Sequence, residues 1–195
     1  MNKDLFGNKI TVKKRKSRLE NSLEKNDKIS FNDRLQRLKY LNNIFPKYSA
    51  LSGDIETIYL YTESKIAFIN GEFISTILLC QSLIERKLQE HFSSLGLDKI
   101  AKRELKAIIE YSRKNEILSD YLIENINILR KKRNPFTHIK PSDYEFNMSQ
   151  RMYDYYSRLK TIKQPWEILE SDAKQAISLM LTVLCTELKN IKEST

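Results

Sequence analysis

Glycine and proline are scarce in this chain, four of each in 195 residues. So few turn-formers favour long helices over a turn-rich β fold. The shortage of glycine also excludes function classes. There is no Walker loop and no Gly-x-Gly-x-x-Gly, so the phosphate cradles of P-loop ATPases and Rossmann dehydrogenases are missing. Only two cysteines occur, Cys80 and Cys185, far apart and each inside an apolar helical pattern. They read as buried free thiols, not as a disulfide frame or a zinc site. No apolar run reaches the roughly 20 residues that span a bilayer. Met1 to Arg18 is polar and basic without an apolar core, so no signal peptide is expected either. The expected setting is cytoplasmic. Acidic or histidine clusters with metal-ligand spacing are missing too, so neither a metal nor another cofactor is expected.

What is abundant is positive charge. The formal net charge is +9, which favours polyanionic partners, nucleic acid above all. Two blocks concentrate it: Lys13, Lys14, Arg15, Lys16 and Arg18 near the N-terminus, and Arg130, Lys131, Lys132 and Arg133 farther on. Cations complementing a helix C-terminal dipole would account for Arg130 to Lys132 almost as well.

Residues 1–28 lack a sustained apolar period and read as a flexible basic arm, with room for a short helix around Leu19 and Leu23. Residues 29–195 read as a single helical domain. Ser30 can cap a helix carrying Leu35, Leu38 and Leu41 and ending before Pro46. A second helix starts near Ser52 or Asp54 with Ile55, Ile58, Tyr59, Ile66 and Ile69 inward, and Asn70-Gly71 interrupts it. Glu72 to about Ser94 is apolar on more than one face, as a central helix should be. Asp98 can cap a helix bearing Ile100, Leu105, Ile108 and Ile109. Ser119 can cap another, with Leu122, Ile123, Ile126 and Leu129 inward, running to Arg133. After Pro141 the pattern weakens, and Tyr144, Phe146, Tyr153, Tyr155 and Tyr156 suggest a packed excursion with a short helix. Pro165-Trp166 marks a further start, and a last helix spans about Ser171 to Lys192. No strand-like alternation appears. The expected architecture is all-α, a bundle of about five main helices without a β-sheet.

The most informative stretch is Arg133-Asn134-Pro135-Phe136-Thr137-His138. It joins a permanent cation, an amide and an imidazole, the groups a metal-free ribonuclease needs. The only other histidine, His91, also follows an arginine by five residues, Arg86. On a regular helix such residues are separated by about 140° and roughly 7.5 Å, so they share no face. Arg86 and His91 sit in an uninterrupted helical pattern and read as surface residues near a helix end. Pro135 should instead end or kink its helix within the motif, freeing Arg133 and His138 to turn toward a common point.

The run Leu129 to His138 resembles the signature of HEPN domains, an Arg-Asn pair, three variable residues and then His at a helix end. The runs Phe68-Ile69-Asn70-Gly71-Glu72-Phe73 and Leu83-Ile84-Glu85-Arg86-Lys87-Leu88 are similar to the family's helix after a glycine, with its apolar face and inward glutamate. The resemblance covers roughly Ile55 to Lys192. It implies a HEPN-like helical bundle in which Glu85 is a supporting polar residue. Bacterial relatives imply a toxin or anti-phage defence setting with an antitoxin or activator protein. Where nucleotidyltransferase-partnered members often carry tyrosine two residues after the histidine, Lys140 stands here.

On this reading the chain is a metal-independent endoribonuclease in which the ribose 2′-hydroxyl attacks phosphorus. His138 would move the proton, Arg133 would hold phosphate oxygens, and Asn134 would orient phosphate or His138. Arg130, Lys131, Lys132 and Lys140 would bind RNA. One histidine does not readily serve as both base and acid, so a homodimer with a composite site is expected. The alternative is a non-catalytic helical module that binds RNA, a nucleotide or a partner protein.

Overall fold

The computed structural model describes residues 16–45 and 54–189. Lys13, Lys14, Arg15, Pro46, Ser52 and Lys192 lie outside the described residues. Within them the chain is an all-α bundle of eight helices without a strand. In chain order these are α1 (Arg18–Ile44), α2 (Ile55–Asn70), α3 (Phe73–Ser94), α4 (Asp98–Ala101), α5 (Leu105–Lys114), α6 (Asp120–Thr137), α7 (Met148–Leu159) and α8 (Pro165–Cys185).

α3 is the central helix. It packs against α2, α8, α4, α6 and α5, and Ile77, Leu83, Ile84, Leu88 and Phe92 on it are fully buried. Ile108 of α5, Ile123 and Ile126 of α6 and Ile177 and Met180 of α8 close the core around it. Each such side chain contributes about 1.5–3 kcal/mol by leaving water. Gly71 ends α2 at φ +84°, and a Cβ there would also meet the Arg37 guanidinium, 3.2 Å from Nη2. Arg37 of α1 donates to the Ile69 carbonyl (2.9 Å), so a cation sits on the last turn of α2.

Several elements depart from the sequence expectation. Ser17, not Ser30, caps α1 through a capping box with Glu20, so the helix begins well inside the segment expected to be an arm. The face of α2 is also different. Ile55, Ile58, Tyr59 and Ile66 are exposed, whereas Thr57, Ser64, Ala67 and Phe68 are buried. Small side chains let neighbouring helices approach closely, and hydrophobicity alone does not report that. Asp98 lies in the first turn of the four-residue α4 and does not cap it; a break precedes α5. Pro165 opens α8 behind a Gln164–Glu167 capping box, so the helix starts earlier than Ser171 and ends at Cys185. Cys80 is buried, and burial pushes its thiol up to about 12, but Cys185 is exposed. α7 has no buried residue, and Tyr153 and Tyr156 point outward.

Candidate functional site

The motif rides on α6. Ser119 caps this helix by accepting from the Leu122 backbone N–H, and Leu122, Ile123, Ile126 and Leu129 bury one face against the core. The helix does not stop at Arg133. It continues through Pro135 to Thr137, with His138 as the extended C-cap residue whose N–H donates to the Asn134 carbonyl (2.9 Å). The chain accommodates the proline by another route. Pro135 has no N–H for the Lys131 carbonyl, and the Tyr144 hydroxyl donates to that carbonyl instead (3.2 Å). This bond also returns the segment after His138 to α6.

Arg133, Asn134 and His138 line one cavity of about 430 Å³. Arg130 and Lys140 share it, as does Glu85 from α3. Glu104, Leu105 and Lys106, at the start of α5, close the opposite wall. Two helices therefore bring the resembling motif and the glutamate together, and the N-terminus of a third faces them.

The cations here are held by neutral groups. Arg133 donates from Nε to Gln81 Oε1 (3.2 Å) and from Nη1 to Thr137 Oγ1 (3.0 Å). Arg130 donates from Nη2 to Asn127 Oδ1 (2.9 Å), and the Lys140 ammonium lies 5.8 Å from the centre of the Tyr144 ring. Among the described residues none of these three has a carboxylate within ion-pair distance. Neutral partners fix a guanidinium without cancelling its charge, which leaves it free to meet a phosphate. Lys106 has only a 3.9 Å approach to Glu110, both well exposed.

Glu85 is the acidic counterpart. Burial pushes its carboxyl above the ordinary carboxylate value, and Glu104 adds to this; the Arg133 charge and a hydrogen bond from the Leu105 backbone oppose it. His138 is exposed, and among the described residues no hydrogen bond holds its ring.

Two of the expected RNA-binding lysines turn elsewhere. Lys132 is a correction. Its ammonium donates to Asp172 Oδ1 (2.8 Å) and Gln175 Oε1 (2.7 Å), and its side chain is only 15% exposed. One residue along a helix rotates a side chain by about 100°, so Lys132 faces α8 while Arg133 faces the cavity. Lys131 is directed toward Glu145 (3.9 Å) and the Phe146 ring. Arg151 of α7 completes a bidentate pair with the buried Asp172, at 2.5 and 2.8 Å. One carboxylate thus fastens α6, α7 and α8.

Arg86 and His91 are both engaged in holding the bundle. Arg86 pairs with Asp54, Glu56 and Glu90 and donates to Thr57 Oγ1 (3.0 Å), tying α3 to the start of α2. His91 Nε2 donates to the Lys189 carbonyl (3.1 Å) and so holds the segment after α8.

Sequence reasoning did not single out Gln81, Thr137, Glu104, Lys106, Tyr144 as a hydrogen-bond donor, or Asp172. Gln81 left a signal: it is a polar residue one helical turn before Glu85, with Ile77, Leu78, Cys80, Leu83 and Ile84 around it. Among the described residues no group of His, Cys, Asp and Glu side chains is arranged to hold a metal ion, and no helix is long and apolar enough to cross a membrane. Comparison with protein-family models, curated proteins and solved structures gives no match.

Proposed function

We propose that this chain is a metal-independent endoribonuclease acting at the Arg133–His138 cavity. The observation that carries the reading is the cavity's set of cations, Arg130, Arg133 and Lys140, held in place by neutral partners beside an accessible histidine. A phosphodiester entering there meets cations with no carboxylate at ion-pair distance, although Glu85 and Glu104 share the cavity. The 2′-hydroxyl attacks the adjacent phosphorus, the bond to the 5′-oxygen breaks, and a 2′,3′-cyclic phosphate and a 5′-hydroxyl result. Arg133 holds two phosphate oxygens and stabilises the charge of the pentacoordinate transition state. His138 transfers a proton at the 2′-oxygen or the leaving oxygen. Asn134, with no side-chain hydrogen bond of its own among the described residues, orients the phosphate. The second proton transfer falls to His138 of a second copy in a homodimer. A toxin or defence setting and an antitoxin or activator partner follow from the HEPN resemblance alone and form the outer part of the proposal.

The second reading is a module that grips RNA without cleaving it. The unheld His138 ring favours it, because general bases are usually oriented by a third group. The deciding experiment incubates pure protein with total RNA in EDTA and analyses the new ends. Cleavage with 2′,3′-cyclic phosphate and 5′-hydroxyl ends is expected. RNA binding without cleavage by a protein shown to be dimeric supports the module instead.

A further inference from the structure

α7 is amphipathic yet buries none of its residues. It is fixed to the body through Arg151, whose guanidinium shares the buried Asp172 with Lys132. Lys132 is the residue before Arg133, so α7 is fastened beside the motif-bearing turn of α6. From there outward, Tyr153, Tyr156, Leu159, Ile162 and Trp166 are each more than half exposed. Single exposed apolar residues need no explanation, but a concentration of them within one helix and its exit does.

Tyr153 and Tyr156 lie one turn apart on α7, separated along the axis by about 4.5 Å, and so share one face of the helix. Cations frame them. Lys160, one turn after Tyr156, has no carboxylate within ion-pair distance among the described residues, and Lys163 stands over the Tyr155 ring at 4.5 Å. Exposed rings beside unpaired cations match what a single strand presents, since every base has a stackable face and every linkage a negative charge. An amphipathic helix resting on a membrane buries a face of Trp, Phe and Leu in the acyl boundary, whereas the outward rings of α7 itself, Tyr153 and Tyr156, each carry a polar hydroxyl.

We propose that the outer face of α7 and its exit segment form a stacking platform for single-stranded RNA. It binds the strand flanking the scissile linkage and leads it to the Arg133–His138 cavity. Its place as a substrate-binding surface rests on the ribonuclease reading; its binding of RNA does not.

The test uses the full chain in two assays. The first measures binding of a fluorescent twelve-nucleotide oligouridylate to protein carrying His138→Ala, so that nothing is cut during titration. The second measures cleavage of a uridylyl dinucleotide, which supplies the scissile linkage without a flanking strand, by protein with His138 intact. Tyr153→Ala with Tyr156→Ala is expected to weaken twelve-mer binding at least about tenfold, since loss of one stacked base costs that much or more. Dinucleotide cleavage should stay unchanged. Tyr153→Phe with Tyr156→Phe keeps the ring faces and should bind normally. Lys160→Gln should make the dependence of affinity on salt shallower by about one phosphate contact.

Circular dichroism confirms that the variants keep their helices, and no buried side chain is altered. Unchanged twelve-mer affinity in the double alanine variant overturns the platform. So does a tyrosine-dependent preference for phosphatidylserine vesicles over the twelve-mer. Tyrosine-dependent RNA binding without any dinucleotide cleavage leaves the platform standing and removes the ribonuclease reading. Dinucleotide cleavage with tyrosine-independent RNA binding does the reverse.

Discussion

Two arginine–histidine pairs with the same five-residue spacing occupy this bundle, and their surroundings treat the arginines in opposite ways. Arg86 stands among Asp54, Glu56 and Glu90, so its charge is spent within the protein. Arg133 is steadied by an amide and a hydroxyl, Gln81 and Thr137, and its charge remains available. The histidines differ in parallel. His91 holds the Lys189 carbonyl, whereas His138 stands exposed at the edge of a cavity that Arg133 also lines. Spacing in sequence says little about chemistry; what separates the pairs is whether the neighbours neutralise the cation or merely aim it.

The largest expected effect bears on the histidines. His138→Ala should slow RNA cleavage at least about a hundredfold, within the range for a lost general acid or base. His91→Ala should leave the rate within about twofold while loosening the segment after α8, at the cost of one hydrogen bond, about 1 kcal/mol. Single-turnover rates in EDTA, with thermal melts for both variants, read the contrast. Comparable rate losses at comparable stability would erase the distinction between the two regions.

Next come the arginines. Arg133→Ala should reduce kcat/KM by about ten- to a hundredfold, the loss of a charge-assisted pair of hydrogen bonds to phosphate. Arg133→Lys should recover part of the binding and less of the rate, because a lysine lacks the planar fork. Arg86→Ala should do the opposite. Its ion pairs are partly exposed, so their loss costs about 1 kcal/mol and not several, or roughly 2–4 °C in Tm for a chain of this size. Its cleavage rate should hold. An Arg86→Ala variant that is stable but inactive would show that the ion-paired arginine has a direct part in the chemistry.

The difference between the pairs was only half legible in the sequence. A regular helix around Arg86 and His91 was readable from apolar periodicity, and α3 is that helix. Pro135 marks the other pair as unusual, yet α6 runs on through it to Thr137. The Lys131 carbonyl that Pro135 orphans is bonded by Tyr144, thirteen residues farther along the chain. The sorting of the basic run was equally hidden. Lys132 and Arg133 are neighbours in sequence, and only the position of Asp172 on α8 decides that one is bound internally. The inward face of α2 differs as well: Thr57, Ser64, Ala67 and Phe68 are buried there and Ile55, Ile58 and Ile66 are exposed. Long-range partners decide these matters, and local pattern carries no record of them.

The smallest effect concerns Glu85, the carboxylate whose interaction with Arg133 most directly limits how free that cation is. Burial, aided by Glu104, raises its pKa above the ordinary value of 4.5; the Arg133 charge and the Leu105 backbone only partly offset the rise. A carboxyl whose folded-state pKa is raised contributes stability that is fully present below its unfolded pKa. That contribution is lost as pH climbs through the folded-state pKa. Glu85→Gln removes the titration but keeps an acceptor for the Leu105 N–H. Relative to wild type, the variant should therefore gain in Tm between pH 4 and pH 8, with most of the change above about pH 4.5. Thermal melts across that range measure the difference. A relative loss over the same interval would mean that attraction to Arg133 outweighs burial. Arg133 would then be ion-paired in effect, as Arg86 is, and the contrast between the two regions would collapse at its electrostatic root.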